Sequence, residues 1–169
     1  MKRARLPLSV FGTAILALTL ASCKAATPEV TRTSPAEIAS EIRASKSLTM
    51  VHIWATWCAP CRDEFPELIQ VMKAYPELDV LLVSGDDPND LQAVTRFLIE
   101  NDSPVGSRVS TQLNQDFIET FSPDWSGSLP ATFFYFNGKL VQEWEGKRSF
   151  EIYQTTIETL INKERRSHD

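Results

Sequence analysis

A nearly uninterrupted apolar run, Leu48 to Trp54, leads through Ala55-Thr56-Trp57 into Cys58-Ala59-Pro60-Cys61, and a helical pattern follows at once. The run is rich enough in apolar residues to be a strand buried on both faces. From Ala59 to about Ala74, Phe65, Leu68, Ile69 and Met72 recur at helical spacing, which predicts an amphipathic helix. A chain that turns from buried strand to helix at this point sets Cys58 at a helix N-terminus. Unpaired backbone N–H groups and the helix dipole there favour a thiolate, and the thiolate is the form that attacks disulfides. Two cysteines at this spacing can also hold a metal, so residues elsewhere in the chain must discriminate.

The N-terminus supplies the compartment. Lys2, Arg3 and Arg5 precede an uncharged stretch from Leu6 to Ala21, which ends in Leu20-Ala21-Ser22-Cys23. A basic segment, a short apolar core and small residues form a secretory signal peptide. The apolar core is shorter than the ~20 residues of a bilayer crossing. Leu-Ala-Ser-Cys is similar to the lipobox of bacterial lipoproteins. That resemblance implies cleavage after residue 22 and lipid on Cys23. It also favours the outer membrane, because Lys24 stands where Asp marks inner-membrane retention. The chain has three cysteines. With Cys23 lipidated, Cys58 and Cys61 remain as one local pair, whose loop is too short to staple a fold.

Residues 24–33 are small and polar and read as a tether, so the expected organisation is a signal peptide over 1–22, a lipidated tether over 23–33 and one domain over 34–166. Loss of the leader removes three basic residues and no acid, moving the net charge from −5 to −8. That balance excludes nucleic acid as a partner. Ser34-Pro35-Ala36-Glu37 is a capping-box start with Pro at the first helical position. Val80 to Val83 reads as a second buried strand. Leu91, Val94 and Leu98 mark a helix, and Leu113, Phe117 and Phe121 a shorter one. Two strands flank Asn137-Gly138, a type I′ hairpin signature, and Phe150 to Ile161 form an amphipathic C-terminal helix. Parallel βαβ units followed by a hairpin and a helix predict a three-layer α/β sandwich.

With that order in view, Trp54-Ala55-Thr56-Trp57-Cys58-Ala59-Pro60-Cys61-Arg62-Asp63-Glu64-Phe65-Pro66 and Gly127-Ser128-Leu129-Pro130-Ala131-Thr132-Phe133 resemble the exported thiol–disulfide oxidoreductases of the TlpA/ResA type. The resemblance implies a thioredoxin fold, a central mixed sheet sandwiched by helices. Many such proteins carry an N-terminal strand hairpin, for which there is little room between Cys23 and Ser34. Cys58 is then the attacking thiolate and Cys61 the resolving one. Pro130 is expected to have a cis peptide bond opposite the cysteines, exposing the Leu129 backbone to an extended substrate.

Further roles follow by the same resemblance. His52 occupies the position of a buried acid in thioredoxins and is a candidate proton relay; a hydrogen-bonded core histidine is the alternative. Glu64 matches an acid that influences cysteine titration, or else complements the helix dipole from solvent. Trp57, Ala59, Pro60 and Leu129 are the candidate substrate contacts, and Trp125 either lines the same groove or anchors its loop.

The expected function is membrane-anchored dithiol–disulfide exchange, as a reductase of exported protein disulfides, apocytochrome c among them. An oxidase, an isomerase or a copper metallochaperone are the alternatives. A closed zinc site is poorly supplied, since the chain has two histidines and one is His168 near the terminus. No metal and no cofactor are implied. The expected partners are protein substrates and a membrane electron donor of the thiol-transfer type, with the chain itself monomeric.

Overall fold

Local signals start most elements where the residues demand it. In the computed structural model, which describes residues 27–167, helix α1 (Pro35–Ala44) opens on a complete capping box between Ser34 and Glu37. Strand β2 (Leu48–Trp54) is buried along its whole length and feeds α2 (Ala59–Ala74), which tolerates Pro66 on its exposed side. Strand β3 (Asp79–Ser84) and α3 (Leu91–Glu100) complete the next βα unit. The hairpin of β5 (Ala131–Phe136) and β6 (Lys139–Glu145) turns at Asn137 and Gly138, both at positive φ. Glycine is required there: a Cβ on Gly138 would lie 2.9 Å from the Arg43 backbone. Helix α5 (Phe150–Ser167) closes the described chain.

Three elements depart from expectation. Val30–Thr33, assigned above to the tether, is strand β1, paired in parallel with β4 (Ser107–Ser110). The ordered domain therefore begins before residue 34. Strand β4 has no expected counterpart; with Arg108 among serines it lacks the apolar run that betrays β2. Leu113 lies outside helix α4 (Gln115–Phe121) and is largely exposed, because the N-cap is Asn114, whose side chain accepts the Phe117 amide.

The sheet runs β1-β4-β3-β2-β5-β6, parallel from β1 to β2 and antiparallel beyond. One face packs α2, α3 and α5 over Leu48, Met50, Trp54, Leu82 and Phe134; the other packs α1 and α4 over Val51, Ile53, Val83 and Phe133. Alternation along β2 puts His52 on the α2 and α5 side with Met50 and Trp54. No helix of the described residues is long and apolar enough to cross a membrane.

Candidate active site

Cys58 is the N-cap of α2, and its sulfur accepts the Cys61 amide at 3.3 Å. The two sulfurs are joined in a disulfide, with Cα atoms 5.2 Å apart. Cys58 keeps a sliver of surface, 6% exposed, whereas Cys61 has none. An incoming thiolate or disulfide therefore meets Cys58 first. Ala59 and Pro60 are exposed on the rim and bring no charge between the sulfurs.

The loop before the pair is tied to β3. Gly85 N donates to Trp54 O at 2.8 Å, and the buried Asp86 carboxylate accepts the Thr56 amide at 2.9 Å, the Thr56 hydroxyl, and the Ser84 hydroxyl at 2.6 Å. The sequence marks Asp86 only as a turn residue. Its role in holding the cysteine loop depends on the β2–β3 pairing.

The peptide bond Leu129–Pro130 is cis. Trp57 is 66% exposed beside a pocket of about 140 Å³ that it lines with Leu113, Ile118, Trp125 and Leu129. Trp125 both anchors and lines: it is buried and donates to Ser128 O at 3.0 Å. A larger groove of about 720 Å³, bounded by Leu48, Tyr75, Phe136 and Ile161, opens at the start of β2, the end away from the cysteines, and has no part in their chemistry.

Beneath the pair lies a buried polar circuit. Glu64 follows Cys61 by one turn on the buried face of α2, so it is not a solvated first-turn acid. Its Oε1 accepts the Arg148 amide at 2.7 Å and the Tyr153 hydroxyl at 2.9 Å. Tyr153 meets Thr132 Oγ1 at 2.9 Å, and Thr132 meets His52 Nδ1 at 2.9 Å. His52 Nε2 and Glu64 Oε2, 3.8 Å apart, complete the ring. Burial raises the Glu64 carboxyl to about 7 against its hydrogen bonds, and burial alone holds the His52 imidazole far below its usual range. Tyr153 and Thr132 escape detection in the sequence because they fall on an apolar helix face and in an aromatic strand. Among the described residues no three His, Cys, Asp or Glu side chains are grouped to hold a metal ion.

A mixed sheet, a Cys-x-x-Cys disulfide at the start of a helix and a cis proline immediately before the neighbouring strand β5 define a thioredoxin-fold protein. The thioredoxin family model matches residues 22–101. It is 29% identical to the thiol:disulfide interchange protein HelX of Rhodobacter capsulatus over 117 residues, 68% of this chain and 61% of the relative. It is 30% identical to the thiol-disulfide oxidoreductase ResA of Bacillus anthracis over 103 residues, 60% of this chain and 56% of the relative. The chain thus spans about six-tenths of the length of the curated relatives it matches. A thiol:disulfide interchange protein of Chlorobium tepidum superposes with a TM-score of 0.59 at 19% identity, covering 72% of this chain and 83% of that one. A secreted disulfide oxidoreductase of Mycobacterium tuberculosis gives 0.58 at 18%, covering 76% and 94%. These superpositions concern the fold.

Proposed function

We propose that the protein is an extracytoplasmic thiol:disulfide oxidoreductase, anchored through lipid on Cys23 and working as a reductase of exported protein disulfides. Cys23 lies outside the described residues; its lipidation rests on the Leu20-Ala21-Ser22-Cys23 motif. The observation that carries the activity is the asymmetry of the pair: Cys58 caps the helix and is reachable, while Cys61 is sealed one turn in.

The Cys58 thiolate attacks a substrate disulfide, forming a mixed disulfide and releasing one substrate thiolate, which is protonated by water. Cys61 then loses its proton and attacks Cys58 Sγ. The Cys58–Cys61 bond forms, the second substrate sulfur leaves as a thiol, and two electrons have passed to the substrate. A membrane dithiol donor restores the reduced pair. Pro130 walls the site opposite the cysteines, and the Leu129 backbone beside it offers an extended substrate its hydrogen bonds. Trp57 covers the adjoining apolar surface.

The direction follows from what stabilises the thiolate. One amide and the helix end favour it, and the inner Ala59-Pro60 adds nothing, so the dithiol state gains less than in strongly oxidising relatives of the fold. An exported cysteine pair, such as that of an apocytochrome c, is the substrate this polarity suits. Equilibration of the Cys58–Cys61 couple against glutathione tests the reading: a value nearer the ~−270 mV of thioredoxin than the ~−120 mV of the oxidase DsbA is expected, and the reverse overturns the reductase assignment.

A further inference from the structure

The hydrogen bonds around Glu64 have a direction that can be followed atom by atom. A tyrosine hydroxyl has one hydrogen, and Tyr153 gives it to Glu64 Oε1. Its contact with Thr132 therefore has the Thr132 hydroxyl as donor. That leaves Thr132 Oγ1 only its lone pairs towards His52, so His52 Nδ1 carries a hydrogen and donates it. A neutral imidazole has a single N–H. Nε2 is then a bare acceptor, buried, without a hydrogen-bond partner, and aimed at Glu64 Oε2, which is equally buried and unpartnered. Two facing lone pairs would leave two buried acceptors unsatisfied, at ~1–3 kcal/mol each. A proton on one of them removes the opposition of lone pairs, across a contact that at 3.8 Å is longer than a hydrogen bond. Since Oε1 already accepts two donors, a proton on the acid sits on Oε2.

We propose that Tyr153 and Thr132 are positioning residues that lock His52 in its Nδ1–H tautomer, so that His52 Nε2 and Glu64 Oε2 hold one proton between them as the store that serves Cys61. The proposal rests on Cys58–Cys61 being an exchanging pair. When a donor thiolate attacks Cys58 Sγ, the Cys58–Cys61 bond breaks, Cys61 leaves with the electron pair, and the stored proton passes to it. On the return, Cys61 gives the proton back to Glu64 Oε2 and its thiolate attacks Cys58 Sγ of the mixed disulfide. The empty store, with lone pairs opposed, is the stronger base and draws the proton back. Cys61 is buried one turn before Glu64 on α2; the other groups around the pair are Thr132 on β5, Tyr153 on α5, and Lys147 and Arg148 on the turn between β6 and α5. Lys147 also reaches Asp63 at the surface, at 3.6 Å.

The test is the tautomer itself, read by 15N NMR on histidine-labelled, oxidised protein near pH 6. His52 is expected as Nδ1–H. In Tyr153→Phe, which keeps the ring, Thr132 is free to donate to Nδ1 and the Nε2–H form should appear. Thr132→Val should release the lock, and Thr132→Ser should restore it, which separates wiring from packing if Tyr153→Phe folds poorly. In a Cys58→Ser background the alkylation pH profile of Cys61 should move by about one unit, a tenfold change in thiolate, in Thr132→Val and not in Thr132→Ser. A wild-type Nε2–H tautomer, or an Nδ1–H form that persists in both Tyr153→Phe and Thr132→Val, overturns the proposal. Either result leaves the exchange activity to be judged separately, since the tautomer is read without turnover.

Discussion

Glu64 on α2 and His52 on β2 lie 3.8 Å apart with no exposed side-chain surface, and burial pushes their titrations in opposite directions. Between about pH 3 and 7 each is neutral in the fold, the acid by keeping its proton and the imidazole by refusing one. The pair thus avoids the cost of a buried charge without forming an ion pair.

Opposed slopes of stability with pH follow from this. Glu64, raised from 4.5 to about 7, stabilises the fold at low pH and loses that contribution as pH rises between those values. His52, lowered from 6.5 to about 3, contributes above 6.5 and loses it as pH falls towards 3. Between 4.5 and 6.5 the two cancel, and the wild type should be nearly flat. Glu64→Gln should leave stability falling as pH drops below 6.5, and His52→Asn should leave it falling as pH rises from 4.5 to 7, each by up to ~1.4 kcal/mol per pH unit. Urea titrations across this range measure both, and slopes of equal sign in the two variants would refute the account.

The cysteine assignment predicts different fates for the two serine variants. Cys61→Ser should accumulate a mixed disulfide with substrate at Cys58, visible as a mass adduct lost on reduction. Cys58→Ser should form none and lose turnover on the order of 100-fold or more. An adduct on Cys61 in the Cys58→Ser protein would exchange their roles.

Where a structural signal is local, the sequence displays it. The Leu48–Trp54 run, the Ser34 and Glu37 cap and Asn137-Gly138 each carry their geometry within a few residues, and α1, β2 and the hairpin fall where those residues imply. Cys58, Cys61 and Pro130 are legible for a different reason, as residues of two motifs that carry the family resemblance. Strands β1 and β4 are not legible. Val30-Thr31-Arg32-Thr33 and Ser107-Arg108-Val109-Ser110 have no apolar alternation, and only sheet pairing, of β1 with β4 and of β4 with β3, makes them strands. The same holds within the site. His52 stands out as an imidazole in an apolar run, but Thr132 and Tyr153 acquire meaning only when α5 docks over β5.

Trp57 and Trp125 line one pocket yet should separate on mutation. Trp57 is mostly exposed, so Trp57→Ala should alter stability by no more than ~0.5 kcal/mol. It should raise KM several-fold for a protein disulfide while sparing exchange with a small one. Trp125 packs on Phe117, Phe121 and Phe133, so Trp125→Ala should cost ~3–5 kcal/mol. Denaturation and steady-state kinetics distinguish them; a Trp57→Ala protein with unchanged KM would remove it from the substrate surface.

Lipidation has a direct readout. Cells fed labelled palmitate should label the wild type and not Cys23→Ser, which should be released from membranes with its exchange activity intact. Label retained in Cys23→Ser would place the anchor elsewhere.

Asp86 offers a test of how the cysteine loop is held. Its carboxylate gathers the Thr56 amide, the Thr56 hydroxyl and the Ser84 hydroxyl in one buried spot, two residues before Cys58 in the case of Thr56. Removing it strands three donors, and a buried donor without a partner costs ~1–3 kcal/mol. Asp86→Ala should therefore destabilise by several kcal/mol. Asp86→Asn keeps the shape but brings one amide in place of a carboxylate oxygen, so it should cost less. Because Thr56 fixes the entry to α2, the looser loop should weaken the N-cap at Cys58 and raise its thiol pKa. The pH dependence of Cys58 alkylation in reduced protein measures this, with Asp86→Asn expected between wild type and Asp86→Ala. A destabilised Asp86→Ala protein whose Cys58 titrates as in wild type would confine Asp86 to the fold.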